Sequence, residues 1–234
     1  MTVVARHETS RPRWGDTTDA DWVASALPNT VNSLADPETM DEIGLELTSG
    51  LHAIETIAGN RFLVGTDLYR IHAIKLDDHN PLPSGSYRHV DGTWTRYAAT
   101  IDTSRLGPYL ARVDDEAPAQ LKPSTEMVDR IQQQHANHPD LLVVMERNRI
   151  RLFDSAADLR PVETISRSPF HTLGATPAPV VAMQWRVMAT AIDAGLTRWT
   201  GAGQIGPFRS AVFNRLAVAI GIQVTPPEAR EISA

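Results

Sequence analysis

Apolar positions along the chain change period several times, and each change predicts an element. Residues 1–18 are polar, include Arg6, Arg11 and Arg13, show no period and predict a mobile tail. Val23, Leu27, Val31 and Leu34 then recur at helical spacing, with Asp19 and Asp21 suited to a helix start. Pro28 falls inside that pattern and predicts a short or kinked helix. The runs "GLELTSG", "LHAIETIAG", "RFLVGTD" and "YRIHAIKL" follow, split by Ser-Gly, Gly-Asn and Thr-Asp. Short β-prone runs so punctuated predict a meander of antiparallel strands.

Residues 77–86 form a polar loop, and Asp91-Gly92 within "YRHVDGTWTRYAATI" predicts a tight hairpin. In "DTSRLGPYLARV", Thr103 is a candidate cap and Leu106, Leu110 and Val113 share a helical face. The proline-bearing stretch "DDEAPAQLKP" predicts a linker near residues 114–121. In the second half Ser124 caps a polar helix running to His138, and "DLLVVMERNRIRLFD" reads as a hairpin turning at Arg147-Asn148. "DLRPVETISR" reads as a strand. "VVAMQWRVMATAIDAG" gives the clearest helical stripe, Val181, Trp185, Met188 and Ile192, with Gly195 as its C-terminal stop. Last, Leu216, Val218, Ile220, Ile222 and Val224 alternate with small residues, predicting a strand with one buried face and one open to close approach. Antiparallel runs with a few helices, and no βαβ rhythm, indicate an α+β fold.

Composition narrows the function. The chain has 234 residues, is 42% hydrophobic and 21% charged, which suffices for one large core or two small ones. Its net charge is −6, with 22 basic and 28 acidic side chains, so bulk charge does not recommend it to nucleic acid, although a local basic stripe is compatible. Without cysteine it has no disulfide, thiolate metal site or cysteine nucleophile. No run approaches the ~20 apolar residues of a membrane span, and the first residues lack a signal-peptide core, so a cytoplasmic protein without a membrane partner is expected.

Candidate chemistry is thin. Gly201, Gly203 and Gly206 spell the dinucleotide fingerprint, but a helix precedes them and Pro207 with a β-like run follows, the reverse of the required context. They read as a glycine-rich hairpin loop. His135 and His138 lie three apart but lack an identifiable third metal ligand, and Asp77, Asp78 and His79 lack the spacing of a calcium loop. No nucleophile elbow or fixed Ser/His/Asp arrangement is present. The five tryptophans read as core or tail residues rather than a base-stacking surface. Arg105, Arg112, Lys122, Arg130, Arg186 and Arg198 sit on or beside predicted helices. Alone they are ordinary solvated cations.

One segment carries more. "FLVGTDLYRIHAI" resembles the part of bacterial-type DNA polymerase sliding clamps that reads roughly L-V-A-T-D-x-x-R-L-A. Leu63, Val64, Thr66, Asp67 and Arg70 match, Ile71 fills the next apolar place, and Gly65 stands for the usual Ala. "TIDTSRLGPYLARV" resembles that family's second helix, "VVAMQWRVMATAIDAG" a helix near the end of its last domain, and "IGPFRSAVFNRLAVAIGIQV" its closing strands. The resemblance covers about residues 20–113 and 180–224, and only element order carries it through 114–179. It departs at Ile220-Gly221, where the family often has Met-Pro, and in a first helix that holds Pro28 and no Lys or Arg.

The resemblance implies two clamp-like domains, residues 19–118 and 119–234 after the tail 1–18, with antiparallel sheets outside and two helices each on the inner face. Family chains assemble head to tail into six-domain rings around duplex DNA, so a two-domain chain implies a homotrimer. The helix cations Arg105, Arg112, Lys122, Arg130, Arg186 and Arg198 would then face the DNA, held by encirclement rather than by tight contact. It also implies a hydrophobic pocket for the short motif of polymerases and other partners. Thr66, Leu68, Tyr69, Arg70 and Ile71 would form one wall, with Arg70 and Tyr69 at its edge, and Ile220 and Ile222 the other. No catalytic residue, cofactor or metal is expected. A clamp loader is an implied partner, and short clamps of this kind fit a phage or other mobile element. Two other readings stay open: a clamp-derived binding module that rings no DNA, and a small α+β enzyme with a carboxylate–histidine site near residues 77–79.

Overall fold

The computed structural model describes residues 19–27, 41–77, 82–91, 93–97, 101–110, 123–146, 149–155, 158, 160–166, 181–201, 207–212 and 214–219. The chain divides into two compact units: residues 1–115, 190–196 and 211–218, and residues 116–189, 197–210 and 219–234.

The first unit begins with helix α1, Asp19–Ala24, which ends before Pro28 as the proline requires. Helix α2 follows, Glu42–Thr48. The alternation in "GLELTSG" predicts a strand there, but the local hydrogen bonding decides for a helix. Asp41 caps it, its Oδ1 accepting from the Gly44 N–H at 2.7 Å. Strands β1 (Leu51–Glu55), β2 (Arg61–Thr66), β3 (Arg70–Leu76), β4 (Gly85–Val90) and β5 (Thr93–Tyr97) come next. Both hairpins, β2–β3 and β4–β5, are antiparallel at the predicted turns, and Asp91 takes the left-handed φ of 48° that the Asp-Gly turn needs. After the short helix α3, Gly107–Leu110, the chain returns to this unit with strand Arg215–Ala219, labelled β12 below, which lies beside β3. The strand order within the unit is β12-β3-β2-β1-β4-β5.

Register separates the two faces of this sheet. Ile54, Phe62, Val64, Ile71, Ala73, Leu216 and Val218 cluster with Leu47 of α2 and with Leu106 and Leu110 at α3. Leu63, Gly65 and His72 alternate with these and point the other way, where α1 lies. The main chain of α1 comes very close: a Cβ on Gly65 would meet the Val23 carbonyl oxygen at 2.3 Å. Helices therefore cover both faces, where the resemblance led us to expect them on one. Ala217 and Ala219, expected on an open small-residue face of β12, are also buried.

The second unit holds α4, Thr125–His135, capped by Ser124 as predicted and ending one turn before Pro139. Strands β6 (Leu142–Glu146), β7 (Arg149–Phe153), β8 (Glu163–Ser166) and β9 (Val181–Gln184) form an antiparallel sheet in the order β8-β7-β6-β9. β9 corrects the long helix predicted from Val181. Its first four residues pair with β6, and helix α5 starts only at Trp185 and runs to Asp193, its residues from Thr190 onward belonging to the first unit. The stripe at helical spacing survives because Val181, Trp185, Met188 and Ile192 are all buried, whichever conformation carries them. Gly195, at φ +86°, stops α5: its N–H bonds the Ile192 carbonyl at 2.8 Å and that of Leu196 bonds Ala191 at 2.9 Å. Strands β10 (Thr200–Gly201) and β11 (Phe208–Val212) pair antiparallel, so the next described element after Gly201 is a strand and not a helix; Gly203 and Gly206 lie outside the described residues.

Candidate functional site

The segment between β2 and β3 is built by its own side chains. The Thr66 hydroxyl donates to the Arg70 carbonyl at 2.8 Å and accepts from the Leu68 N–H at 2.9 Å. Asp67 Oδ1 accepts from the N–H groups of Tyr69, at 3.1 Å, and Arg70, at 2.8 Å. Leu68 is held at φ +70°, a conformation that a branched side chain adopts only when its surroundings impose it. Hydrogen bonds on both sides of it do so here.

Arg70 closes the construction. Its Nε donates to Asp67 Oδ2 at 3.1 Å, Nη2 to the Ser25 carbonyl at 2.8 Å, and Nη1 to Thr190 Oγ1 at 3.4 Å. Both side chains of the Arg70–Asp67 pair are fully buried. Next along β3, His72 stacks on Trp22 of α1, with ring centroids 4.5 Å apart and planes 8° apart. Its Nδ1 lies 3.1 Å from the Trp22 carbonyl, an acceptor, so this nitrogen carries the proton. Burial first, then the neighbouring Arg70 charge, push the His72 pKa down to about 3, against a smaller upward pull from the Trp22 carbonyl. The indole of Trp22 donates to the Thr190 carbonyl at 2.9 Å. Arg215 joins the two ends again, donating to Asp19 at 2.5 Å and to the Ala194 carbonyl at 3.0 Å.

The expected pocket residues thus divide. Thr66, Arg70 and Ile71 are buried, the last in the core cluster. Leu68 is half-buried against that cluster, and Tyr69 is 46% exposed. Arg70, expected at the edge beside Tyr69, is only 1% exposed, because its guanidinium is drawn inward by Asp67, Ser25 and Thr190. Ile220 and Ile222 lie outside the described residues, although β12, which ends one residue before Ile220, neighbours β3.

The helix cations divide as well. Arg105 sits just before α3 and grips the Asp41 carboxylate with both terminal nitrogens, at 3.3 and 3.0 Å. That contact, and then the Gly44 N–H, hold the Asp41 carboxyl below the usual range. Arg130 of α4 pairs with Glu163. Arg186 donates from Nε to Gln184 at 2.7 Å, and Arg198 is exposed. Arg112 and Lys122 lie outside the described residues. His135 bonds the His138 carbonyl and His138 pairs with Asp154 at 2.9 Å; among the described residues no group of three or more His, Asp or Glu is placed to hold a metal. Asp77 is exposed, and Asp78 and His79 lie outside the described residues. Of the tryptophans, Trp22, Trp185 and Trp199 are core residues, Trp94 is half-buried, and Trp14 lies outside. Among the described residues no helix is long and apolar enough to cross a membrane.

No protein-family model and no curated protein sequence matches the chain. Solved structures do. The β subunit of DNA polymerase III from Borrelia burgdorferi, in complex with a natural product, superposes with a TM-score of 0.55 at 11% identity, covering 94% of this chain and 67% of its own. The Helicobacter pylori β clamp bound to a DNA ligase peptide gives 0.51 at 15% identity, covering 88% of this chain and 62% of that one. The Pseudomonas aeruginosa sliding clamp with a ligand gives 0.54 at 9% identity, covering 87% and 62%. The chain therefore spans about two thirds of the length of the clamps it matches. At such identities the likeness is one of fold, and the fold is that of the bacterial DNA polymerase sliding clamp.

Proposed function

We propose that this chain is a processivity factor of the sliding-clamp type, without an enzymatic activity of its own. It forms a homo-oligomeric ring around duplex DNA, is placed there by a clamp loader, and docks polymerase-type partners through a hydrophobic peptide pocket. The observation that carries the reading is the clamp fold over 87–94% of the chain. Two compact units, and a length about two thirds that of the matched clamps, favour a trimer as the way to close a ring of six domains. The intervals 19–118 and 119–234 are the domains in this proposal, and a cytoplasm, of a phage host or another cell, is where a replicating duplex would be met.

In this reading exposed Tyr69 and half-buried Leu68 are the docking surface, Thr66, Arg70 and Ile71 hold it from behind, and Ile220 and Ile222 complete it. A ligase peptide occupies the Helicobacter pylori clamp, which supports a peptide as the ligand class. Tyrosine is among the residue types that most often carry the energy of such interfaces. Tyr69→Ala combined with Ile222→Ala is expected to weaken binding of a labelled hydrophobic clamp-binding peptide by about tenfold or more in an anisotropy titration. Undiminished binding by the double variant would remove the pocket from this place.

A further inference from the structure

The expected DNA-facing arginines are not equivalent, and their acidic partners say which of them a duplex can recruit. Arg130 is committed. Its partner Glu163 has a side chain only 12% exposed, and the second carboxylate oxygen of Glu163 is buried without a hydrogen-bond partner. Withdrawing Arg130 would leave a nearly buried carboxylate uncompensated. Arg105 is the opposite case. It and Asp41 are 48% and 55% exposed, so the pair opens into water without exposing or stranding anything. The acceptor is also preorganised. Asp41 is fixed as the cap of α2 by the Gly44 N–H, and it presents both oxygens to the guanidinium fork, the geometry in which Arg also takes a phosphate.

We propose that Asp41 is a resident stand-in for a DNA phosphate on Arg105, so that duplex binding at this position is an exchange of one oxyanion for another. The inference rests on the clamp reading above and adds to it a regulation of the contact. Because Arg105 leaves one anion when it meets the next, its net gain from each phosphate is small. Contacts of that kind hold a duplex loosely and let it move along the protein. Arg130, tied to Glu163, contributes to the fold rather than to the duplex.

The test is a double-mutant cycle on the full-length protein, with a short fluorescent duplex titrated over a range of salt concentrations. Asp41→Asn keeps the helix cap, since Asn caps as well as Asp, and removes the competing charge. It is expected to tighten duplex binding about two- to fivefold, the usual weight of an exposed ion pair, and to steepen the dependence of log K on log salt by about one. In an Arg105→Ala background the same Asp41→Asn change should do neither. An equal gain in that background would reduce the effect to net charge and overturn the proposal, as would no gain in the wild-type background. Absence of duplex binding by every form at every salt concentration would overturn the DNA reading itself, and this inference with it.

Discussion

Thr66, Asp67 and Arg70 make the sequence motif look like a binding site, yet their side chains are all within 1% of complete burial. They are the frame of the turn. Thr66 and Asp67 hold its backbone, and Arg70 fastens it to Ser25 and Thr190, leaving Tyr69 to face outward while Leu68 leans on the core. An isolated charge pair removed from water has to be matched on both sides. Arg70→Met therefore leaves Asp67 buried without its cation and is expected to cost about 3–5 kcal/mol in urea denaturation. Adding Asp67→Asn should recover part of that loss. A variant within about 1 kcal/mol of wild type would contradict a buried, interdependent pair. The sequence shows the letters of the motif but not their direction. Strand alternation assigns Arg70 to one face and Ile71 to the other, and a charged residue is ordinarily assigned to the wet one. Here α1 covers that face, which no local pattern announces.

At the scale of elements, α1 is held to β3 by the Trp22–His72 stack and by Arg70 on Ser25, and to β2 by the close approach over Gly65. The departure from the family's usual Ala at Gly65 thus has a physical reason, since a methyl group would collide with the Val23 carbonyl. This docking carries a pH dependence with a definite sign. The His72 pKa is lowered in the fold, to about 3 against 6.5, and that of His52 is lowered too, chiefly by burial. Both are bound neutral, so unfolding takes up protons as pH falls below 6.5. Stability should be at its full value above that pH and decline below it, the His72 share by about 1.4 kcal/mol per pH unit down to about 3. Denaturant midpoints measured across this range should show the decline. His72→Phe, which keeps a ring on Trp22, should remove about one proton's share of the slope, and an unchanged slope would refute the assignment. Elements were legible where local chemistry is decisive: the Asp91-Gly92 hairpin, the Ser124 cap and the Gly195 stop. They were misread where a partner decides. The Asp41 cap turns an alternating run into α2, and pairing with β6 pulls Val181–Gln184 out of a helical stripe into β9.

For the whole molecule, the sequence resemblance and the fold agree on the sliding clamp, and they do so at 7–15% identity to solved clamps. What survives such divergence is the arrangement of buried faces, which tolerates replacement as long as apolar volume and pattern are kept. The acidic net charge of −6 is compatible with a protein that holds DNA by topology, because a ring needs its contacts to exchange rather than to grip. The proposed function stands or falls with that ring. Its most direct test is retention of the loaded protein on nicked circular duplex, followed by linearisation of the same DNA, with the mass of the retained species read by light scattering. A ring of three chains stays on the circle and runs off once ends are available. A monomer, or equal retention before and after linearisation, would contradict it.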